Sequence, residues 1–339
     1  VSRFLPQSPL SFKESAMAQT AASPVRHILA ADIGGTTSRF GHFLLALNGS
    51  LTLASQVRLP TQAASSFDAL LAALPQAGFD LSPGQAAAAA FAVPGAIAGR
   101  TVRFANIPWV LDLDAFSLVH GTEKNVCVND FLAQAQGCRL LGDAAEVVLP
   151  GEMDPLRVQA VVGAGTGLGH AALVPLPGGG VLALASEAGQ TAAPFVGPQE
   201  SAFAAFLCQA TGEAYARADS VVSGSGLAHL HRFLTGQDLP PAALGPLLTP
   251  ESPTTALFAR FYGRAVRDYA LTMVAAGGVF ISGGVAAKNP VLVTHPAFAK
   301  EFYASPTYGA FLAGIPVRLV RDEDVGLFGA AAIARQLLE

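Results

Sequence analysis

Two stretches of this chain place glycine, hydroxyl and carboxylate residues at spacings that suit phosphate chemistry. In the first, an apolar run from Leu29 reaches Asp32, breaks at Gly34-Gly35 into Thr36-Thr37, and returns through Phe40–Leu47 at hairpin distance. Paired glycines allow a turn to take φ > 0 and bring backbone N–H groups close to a ligand. Thr36 and Thr37 add hydroxyl donors, and Asp32 at a strand end can hold a hydrated cation. Those parts suit a magnesium-bound polyphosphate. Taken alone, the segment is equally compatible with a hairpin turn that binds nothing. The second stretch, Val158–Val174, repeats the plan of strand, glycine-rich turn with Thr166, and returning strand. At a fixed offset, Asp32-Ile33-Gly34-Gly35 faces Gly163-Ala164-Gly165-Thr166. The pair predicts a duplicated architecture with a phosphate-gripping turn in each half.

The intervening pattern supplies elements to position these turns. Leu51–Leu59 reads as a third strand, Phe67–Leu74 as an amphipathic helix, and Gln85–Val93 as a buried strand ending at Pro94. The loop Phe104–Trp109 holds the only tryptophan, an aromatic that can pin it to the core. Val126–Val128 is a short strand whose end presents Asn129 and Asp130; Phe131–Leu140 is then helical, with Asp130 as its expected N-cap. Beyond the second hairpin, strand Val181–Ala185 ends in Ser186–Gln190. Helices are expected at Gln199–Ala210, Leu227–Leu234 and Thr254–Val274, with Gly236–Pro253 as a connector. Gly277–Val285 is a buried strand opening into a further glycine turn at Gly283-Gly284. Pro316–Val320 is the last strand and Asp324–Leu338 a closing helix. Strands alternating with helices in both halves predict a two-domain α/β protein with an interdomain cleft.

Composition narrows the function classes. The 339 residues can hold about two domains, and 51% hydrophobic against 13% charged residues indicates a globular chain. A net charge of −4 without a basic stripe argues against nucleic acid or an anionic membrane as partner. The apolar runs Val158–Ser186 and Ala270–Ala287 are laced with glycine, serine and threonine, so they read as buried strands around turns and not as membrane spans. Cys127, Cys138 and Cys208 show no paired spacing, which predicts free thiols, a reducing cytoplasmic location and no zinc site. Pro6 and Pro9 break any apolar leader, and residues 1–25 are expected as a disordered extension, with Met17 as an alternative start.

With these residues in place, the chain from about His27 onward resembles the bacterial glucokinase family, in the hexokinase branch of the actin-like ATPase superfamily. The resemblance implies that superfamily's ribonuclease-H-like fold. The small domain would be residues 26–139 plus 324–339, and the large domain residues 140–323. Asp32–Thr37 looks like the family's first phosphate motif, with Asp32, Gly34, Gly35, Thr36 and Thr37 on the nucleotide and Asp32 on Mg2+. Gly163–Gly169 looks like the second, with Gly165, Thr166 and Gly167. Ile281–Gly284 looks like the adenosine motif, through Gly283 and Gly284. Asn106-Ile107-Pro108-Trp109 is similar to the sugar-side loop, Val128–Phe131 to the element carrying the catalytic aspartate, and Ser223–Gly226 to the turn opening a helix near the nucleotide.

The implied activity is ATP-dependent phosphorylation of the 6-hydroxyl of glucose, or of a related hexose. A sugar hydroxyl is a poor nucleophile, so a carboxylate must take its proton; Asp130 is the expected base, with Asn129 on the sugar. The family glutamate, two glycines and histidine on the sugar become Glu187-Ala188-Gly189-Gln190 here, and a further family glutamate aligns with Asp219. Glu187, Gln190 and Asp219 are therefore the expected, partly altered sugar contacts, alongside Asn106. Those changes leave two rivals: a kinase for another hexose or an amino sugar, and a sugar- or nucleotide-binding sensor without catalysis. A homodimer is left open. The subgroup with a cysteine-rich zinc motif is not matched, nor is the helix-turn-helix of its repressors.

Overall fold

The computed structural model describes residues 25–94, 97, 99–104 and 107–339. Asn106 and nearly all of the expected N-terminal extension lie outside the described residues. The chain divides into two compact units, residues up to Ala144 with Asp324–Glu339, and Ala145–Glu323.

In the first unit, β1 (Arg26–Ile33), β2 (Thr37–Leu45) and β3 (Leu51–Pro60) form an antiparallel meander, and α1 (Phe67–Ala72) leads into β4 (Ala88–Val93). A small ribbon of β5 (Thr101–Arg103) and β6 (Val110–Asp112) precedes α2 (Leu113–His120), β7 (Asn125–Asn129) and α3 (Asp130–Leu141). The sheet order is β3-β2-β1-β4-β7, with β4 parallel to both β1 and β7. Strand alternation splits β1 between two cores. Leu29, Ala31 and Ile33 pack with Phe67, Phe91 and Trp109, while Ile28 and Ala30 pack with Ala133 and the closing helix Val325–Gln336. A β-carbon on Gly329 would drive into the Ala133 carbonyl, so α3 and the closing helix meet at backbone distance. The expected break at 139 falls inside α3, which runs on to Leu141.

In the second unit, β8 (Glu146–Leu149) is followed by β9 (Gln159–Ala164), β10 (Leu168–Pro175) and β11 (Val181–Ser186). Then come α4 (Gly197–Thr211), α5 (Ala218–Val221), α6 (Gly224–Thr235), the long α7 (Pro253–Met273) and β12 (Val279–Ser282). The short helices α8 (Gly284–Lys288), α9 (Val291–Thr294), α10 (Pro296–Phe302) and α11 (Gly309–Ala313) lead to β13 (Val317–Leu319). The sheet order is β11-β10-β9-β12-β13-β8. β9-β10-β11 is antiparallel and β12 runs parallel to β9, repeating the relation of β1-β2-β3 to β4. The expected duplication is thus present in the strand order and direction of both sheets, with the second hairpin turn one residue shorter than the first. Among the described residues no helix is long and apolar enough to cross a membrane. The apolar stretches form instead the central strands β9, β10 and β12, whose residues are mostly buried.

Candidate active site

The first glycine turn joins β1 to β2. Gly34 N–H donates to the Thr37 carbonyl at 3.0 Å, and Thr61, fully buried, braces the turn from outside. Its hydroxyl donates to the Gly34 carbonyl at 2.7 Å and stands 2.7 Å from Ser38 Oγ, while its amide bonds the Thr36 carbonyl at 2.9 Å. The sequence reading missed Thr61, which lies a whole hairpin away from the motif it supports. It also expected φ > 0 at the paired glycines, and neither Gly34 nor Gly35 adopts it. The reason for glycine is space. A β-carbon on Gly34 would lie 2.8 Å from the Thr37 carbonyl oxygen, whereas one on Gly35 meets nothing within 4 Å.

The second turn follows the same pattern. Gly165 N–H donates to the Gly167 carbonyl at 2.7 Å, and the buried Tyr262 hydroxyl accepts from the Ala164 amide at 3.1 Å. The opening of α6 reaches this turn through Gly224 N–H on the Gly165 carbonyl at 2.9 Å, with Ser223 Oγ capping the helix at Gly226. Gly165 again has open space where a β-carbon would sit, and Gly167 faces the Asp219 carboxylate too closely to carry one. Among the described residues no hydrogen bond occupies the backbone N–H groups of Gly35 and Thr36 in one turn, or of Thr166 and Gly167 in the other. Each turn thus presents two amides. At the third turn Gly283 has φ 97° and a β-carbon there would meet the Ala164 carbonyl at 2.6 Å, while Gly284 is open.

Two carboxylates of the first unit, Asp130 and Asp324, lie within electrostatic reach of Asp32, which sits at the end of β1 and is only 9% exposed. Burial raises its pKa to about 6; the charges of Asp130 and Asp324 push the same way, and Arg39 opposes them. Arg39 lies 3.5 Å from Asp32 and 3.3 Å from Asp324, which also holds Arg58 at 2.8 Å. Arg39 is a second residue that motif reading missed. Asp130 is the first residue of α3 and not its cap. Asn129 is the cap, its Oδ1 accepting from the amides of Phe131 at 2.9 Å and Leu132 at 3.3 Å, while Asp130 Oδ1 accepts from Phe131 N–H at 2.8 Å. Asn129, one residue earlier, takes the cap position.

In the second unit, Glu187 and Gln190 flank a 3-10 turn at the end of β11, closed by Gln190 N–H on the Glu187 carbonyl at 2.9 Å. Glu187 is exposed and its carboxylate makes no hydrogen bond or ion pair among the described residues. Asp219, in α5, spends Oδ1 on the Leu168 amide at 2.6 Å, just past the second glycine turn. Gln190 Oε1 accepts from Arg217, a residue the sequence reading did not single out. A cavity lined by His170, Ala188, Thr191, Ala218, Arg264 and Tyr269, among others, borders the Glu187–Gln190 turn. It is formed mainly by apolar side chains and does not touch the glycine turns.

The family model for glucokinase matches residues 29–337. The chain belongs to the glucokinase family. The glucokinase of Stenotrophomonas maltophilia (strain R551-3) is 31% identical over 329 residues, covering 91% of this chain and 94% of that one. The crystal structure of glucokinase from an Antarctic psychrotroph superposes with a TM-score of 0.77 at 26% identity, covering 91% of this chain and 99% of the other. A ROK family glucokinase from Streptomyces griseus, solved in complex with glucose and AMPPNP, shares the fold at a TM-score of 0.62 and 19% identity, covering 91% of this chain and 99% of the other. The fold of this glucokinase-family chain is the actin-like ATPase fold that the resemblance implied. Among its described residues no three His, Cys, Asp or Glu side chains cluster as a metal cage.

Proposed function

We propose that this chain transfers the γ-phosphoryl group of ATP to the 6-hydroxyl of glucose, giving glucose 6-phosphate and ADP. The observation that carries the reading is the pair of glycine turns, each closing an antiparallel hairpin and each presenting two amides without a protein partner among the described residues. Paired amides of this kind suit the oxygens of a nucleotide's phosphates. Family membership and the relative's glucose and AMPPNP complex support sugar and nucleotide as the substrates.

Phosphoryl transfer asks chiefly for positioning and for charge neutralisation. Gly34, Gly35, Thr36 and Thr37 with Gly165, Thr166 and Gly167 hold the phosphates, and Gly283 and Gly284 admit the adenosine. Asp130 accepts the proton of the hydroxyl as its oxygen forms the new bond to phosphorus and ADP departs. Asn129 commits its carbonyl end to α3, so it serves the sugar through its NH2 end. Glu187 accepts from sugar hydroxyls; Gln190 and Asp219 complete that shell, with Asn106 from the sugar-side loop.

A magnesium ion fits the donor set. It takes hard oxygen ligands and keeps several waters, so the one carboxylate of Asp32 with phosphate oxygens is sufficient, and no protein cage is needed. When bound it neutralises charge on the phosphates, and Arg39 at 3.5 Å holds Asp32 in place. Purified protein given Mg-ATP and a panel of hexoses, with ADP release as readout, tests the proposal. Glucose-dependent ADP release is expected; release with no hexose in the panel would leave a binding protein.

A further inference from the structure

Gln190 occupies the place where the sequence resemblance leads one to expect an imidazole, and an amide is an ambiguous replacement. It carries an acceptor at one end and two donors at the other, and rotation about one bond exchanges them. The structure removes that ambiguity through Arg217. Backbone pairing sets the two side by side: Ala192 and Arg217 form an antiparallel bridge, Ala193 N–H donates to the Ala216 carbonyl and Ala218 N–H to the Thr191 carbonyl, both at 2.9 Å.

The guanidinium is itself held. Arg217 Nη2 pairs with Glu213, whose other oxygen accepts from Ser220 Oγ at 2.7 Å, and Asp219 Oδ2 lies 3.8 Å from Nη1. Nη1 then donates to Gln190 Oε1. A guanidinium has donors only, so the amide must turn its oxygen toward it; the opposite rotamer would set donor against donor. A charged donor on the carbonyl end also polarises the amide and strengthens its N–H groups.

We propose that Arg217 is a positioning residue that fixes Gln190 as a donor-only group, so that the sugar substituent meeting it must be an acceptor. A hydroxyl oxygen satisfies that demand and an ammonium group does not. By charge alone, the carboxylates Glu213 and Asp219 beside Arg217, with Glu187 on the turn that carries Gln190, would draw a positively charged amino sugar. The orientation of one amide overrides that preference and selects a neutral hexose. The inference rests on the reading of this chain as a hexose kinase.

The test uses the full-length protein, Mg-ATP, glucose, and glucose analogues in which each ring hydroxyl other than the phosphorylated one is replaced in turn by hydrogen or by an ammonium. The wild type is expected to discriminate against the ammonium at one ring position by at least about 10²-fold in kcat/KM, because a polar site built for a hydroxyl is left badly paired. Arg217→Met lets the amide rotate; the discrimination at that position should shrink by about tenfold or more, with the KM for glucose rising more than kcat falls. Arg217→Lys, which keeps one donor for Oε1, should recover part of it. Gln190→Glu keeps a partner for Arg217 yet offers only acceptors, and should reverse the preference at that position alone. A merely structural role for Arg217 would weaken all analogues alike. If the wild type phosphorylates glucose and Arg217→Met and Gln190→Glu, both folded by circular dichroism, leave the position-specific ratio unchanged, this inference is overturned and the kinase reading stands. A wild type that phosphorylates no hexose overturns both.

Discussion

Gly35→Val separates a glycine kept for the fold from one kept for a ligand. Gly35 is exposed, its φ lies outside the left-handed region, and an added β-carbon meets no atom within 4 Å. The folded chain therefore gives no reason for glycine. Loss of backbone freedom in the unfolded state favours the valine slightly, so stability should stay within about 1 kcal/mol of wild type. Nucleotide binding should behave differently. The first turn presents the amides of Gly35 and Thr36, and a β-branched side chain between them and a phosphate would hold the ligand off both. A hydrogen bond to a charged group contributes about 1.5–3 kcal/mol, so two lost bonds amount to about 3–6 kcal/mol. That corresponds to a rise in Kd for Mg-ATP of about 10²- to 10⁴-fold.

Calorimetric titration with Mg-ATP gives the affinity, and thermal unfolding followed by circular dichroism gives the stability. Gly165→Val should behave like Gly35→Val, since its β-carbon position is equally open. Gly34→Ala is the opposite control: its β-carbon would sit 2.8 Å from the Thr37 carbonyl oxygen, so it should lose stability first. A folded Gly35→Val protein that binds Mg-ATP within about threefold of wild type would refute the phosphate-gripping turn; the threefold window is about 0.6 kcal/mol, well below one lost bond.

Asp130→Asn should lower kcat by at least about 10²-fold while sugar and ATP still bind, and because Asn129 carries the helix cap, its melting temperature should hold. Steady-state kinetics with a thermal melt reads both. Thr61→Val keeps volume but leaves the Gly34 carbonyl and Ser38 hydroxyl without their buried partner. It should cost about 1–3 kcal/mol in chemical denaturation and raise the KM for ATP. His170 is 4% exposed, and burial lowers its pKa from 6.5 to about 4, so the folded state stays neutral where the unfolded state gains a proton. Stability is unaffected above pH 7 and falls as pH drops from 6.5 toward 4, by about 2 kcal/mol at pH 5 from this group. His170→Leu should flatten that part of the pH–stability curve, measured by urea unfolding; an unchanged slope would place the histidine's titration elsewhere.

What the sequence made legible follows physical range. β1 and β9 are largely apolar runs that end at glycine turns, and β2 and β10 return from those turns, so local pattern sufficed for them. The duplication could be read because both hairpins keep the same order of strand, glycine turn and strand. The helix α2 was overlooked although its signals are local: Asp112 caps the amides of Asp114 and Ala115, and Gly121 ends it at φ 74°. The chain of short helices from α8 to α11 carries no long period for pattern reading to catch. The support of the site was hidden for a different reason. Thr61 braces Gly34, Tyr262 holds the Ala164 amide from α7, and Arg217 holds Gln190, each across a separation that no motif spans. A motif records the residues facing a ligand; the residues that hold them are fixed by tertiary packing.

That distinction also bears on positions 190 and 219, proposed above as sugar contacts. If sugar contact alone set the residue at 219, shortening glutamate to aspartate would leave a gap to be filled by water. In this structure Asp219 Oδ1 reaches the Leu168 amide at 2.6 Å, and Gly167 beside it has no room for a β-carbon. The length of the side chain at 219 is therefore matched to the second glycine turn. Its other oxygen lies 3.8 Å from Arg217, which in turn determines which end of Gln190 is presented. Positions 190 and 219 are thus tied through one cation, and a change at either one alters the setting of the other. Gln190→His without a change at Arg217 would press an imidazole against a guanidinium, with repulsion added whenever the ring is protonated. The glutamine and its arginine are therefore coupled, and a substitution at one has to be read with the other in view.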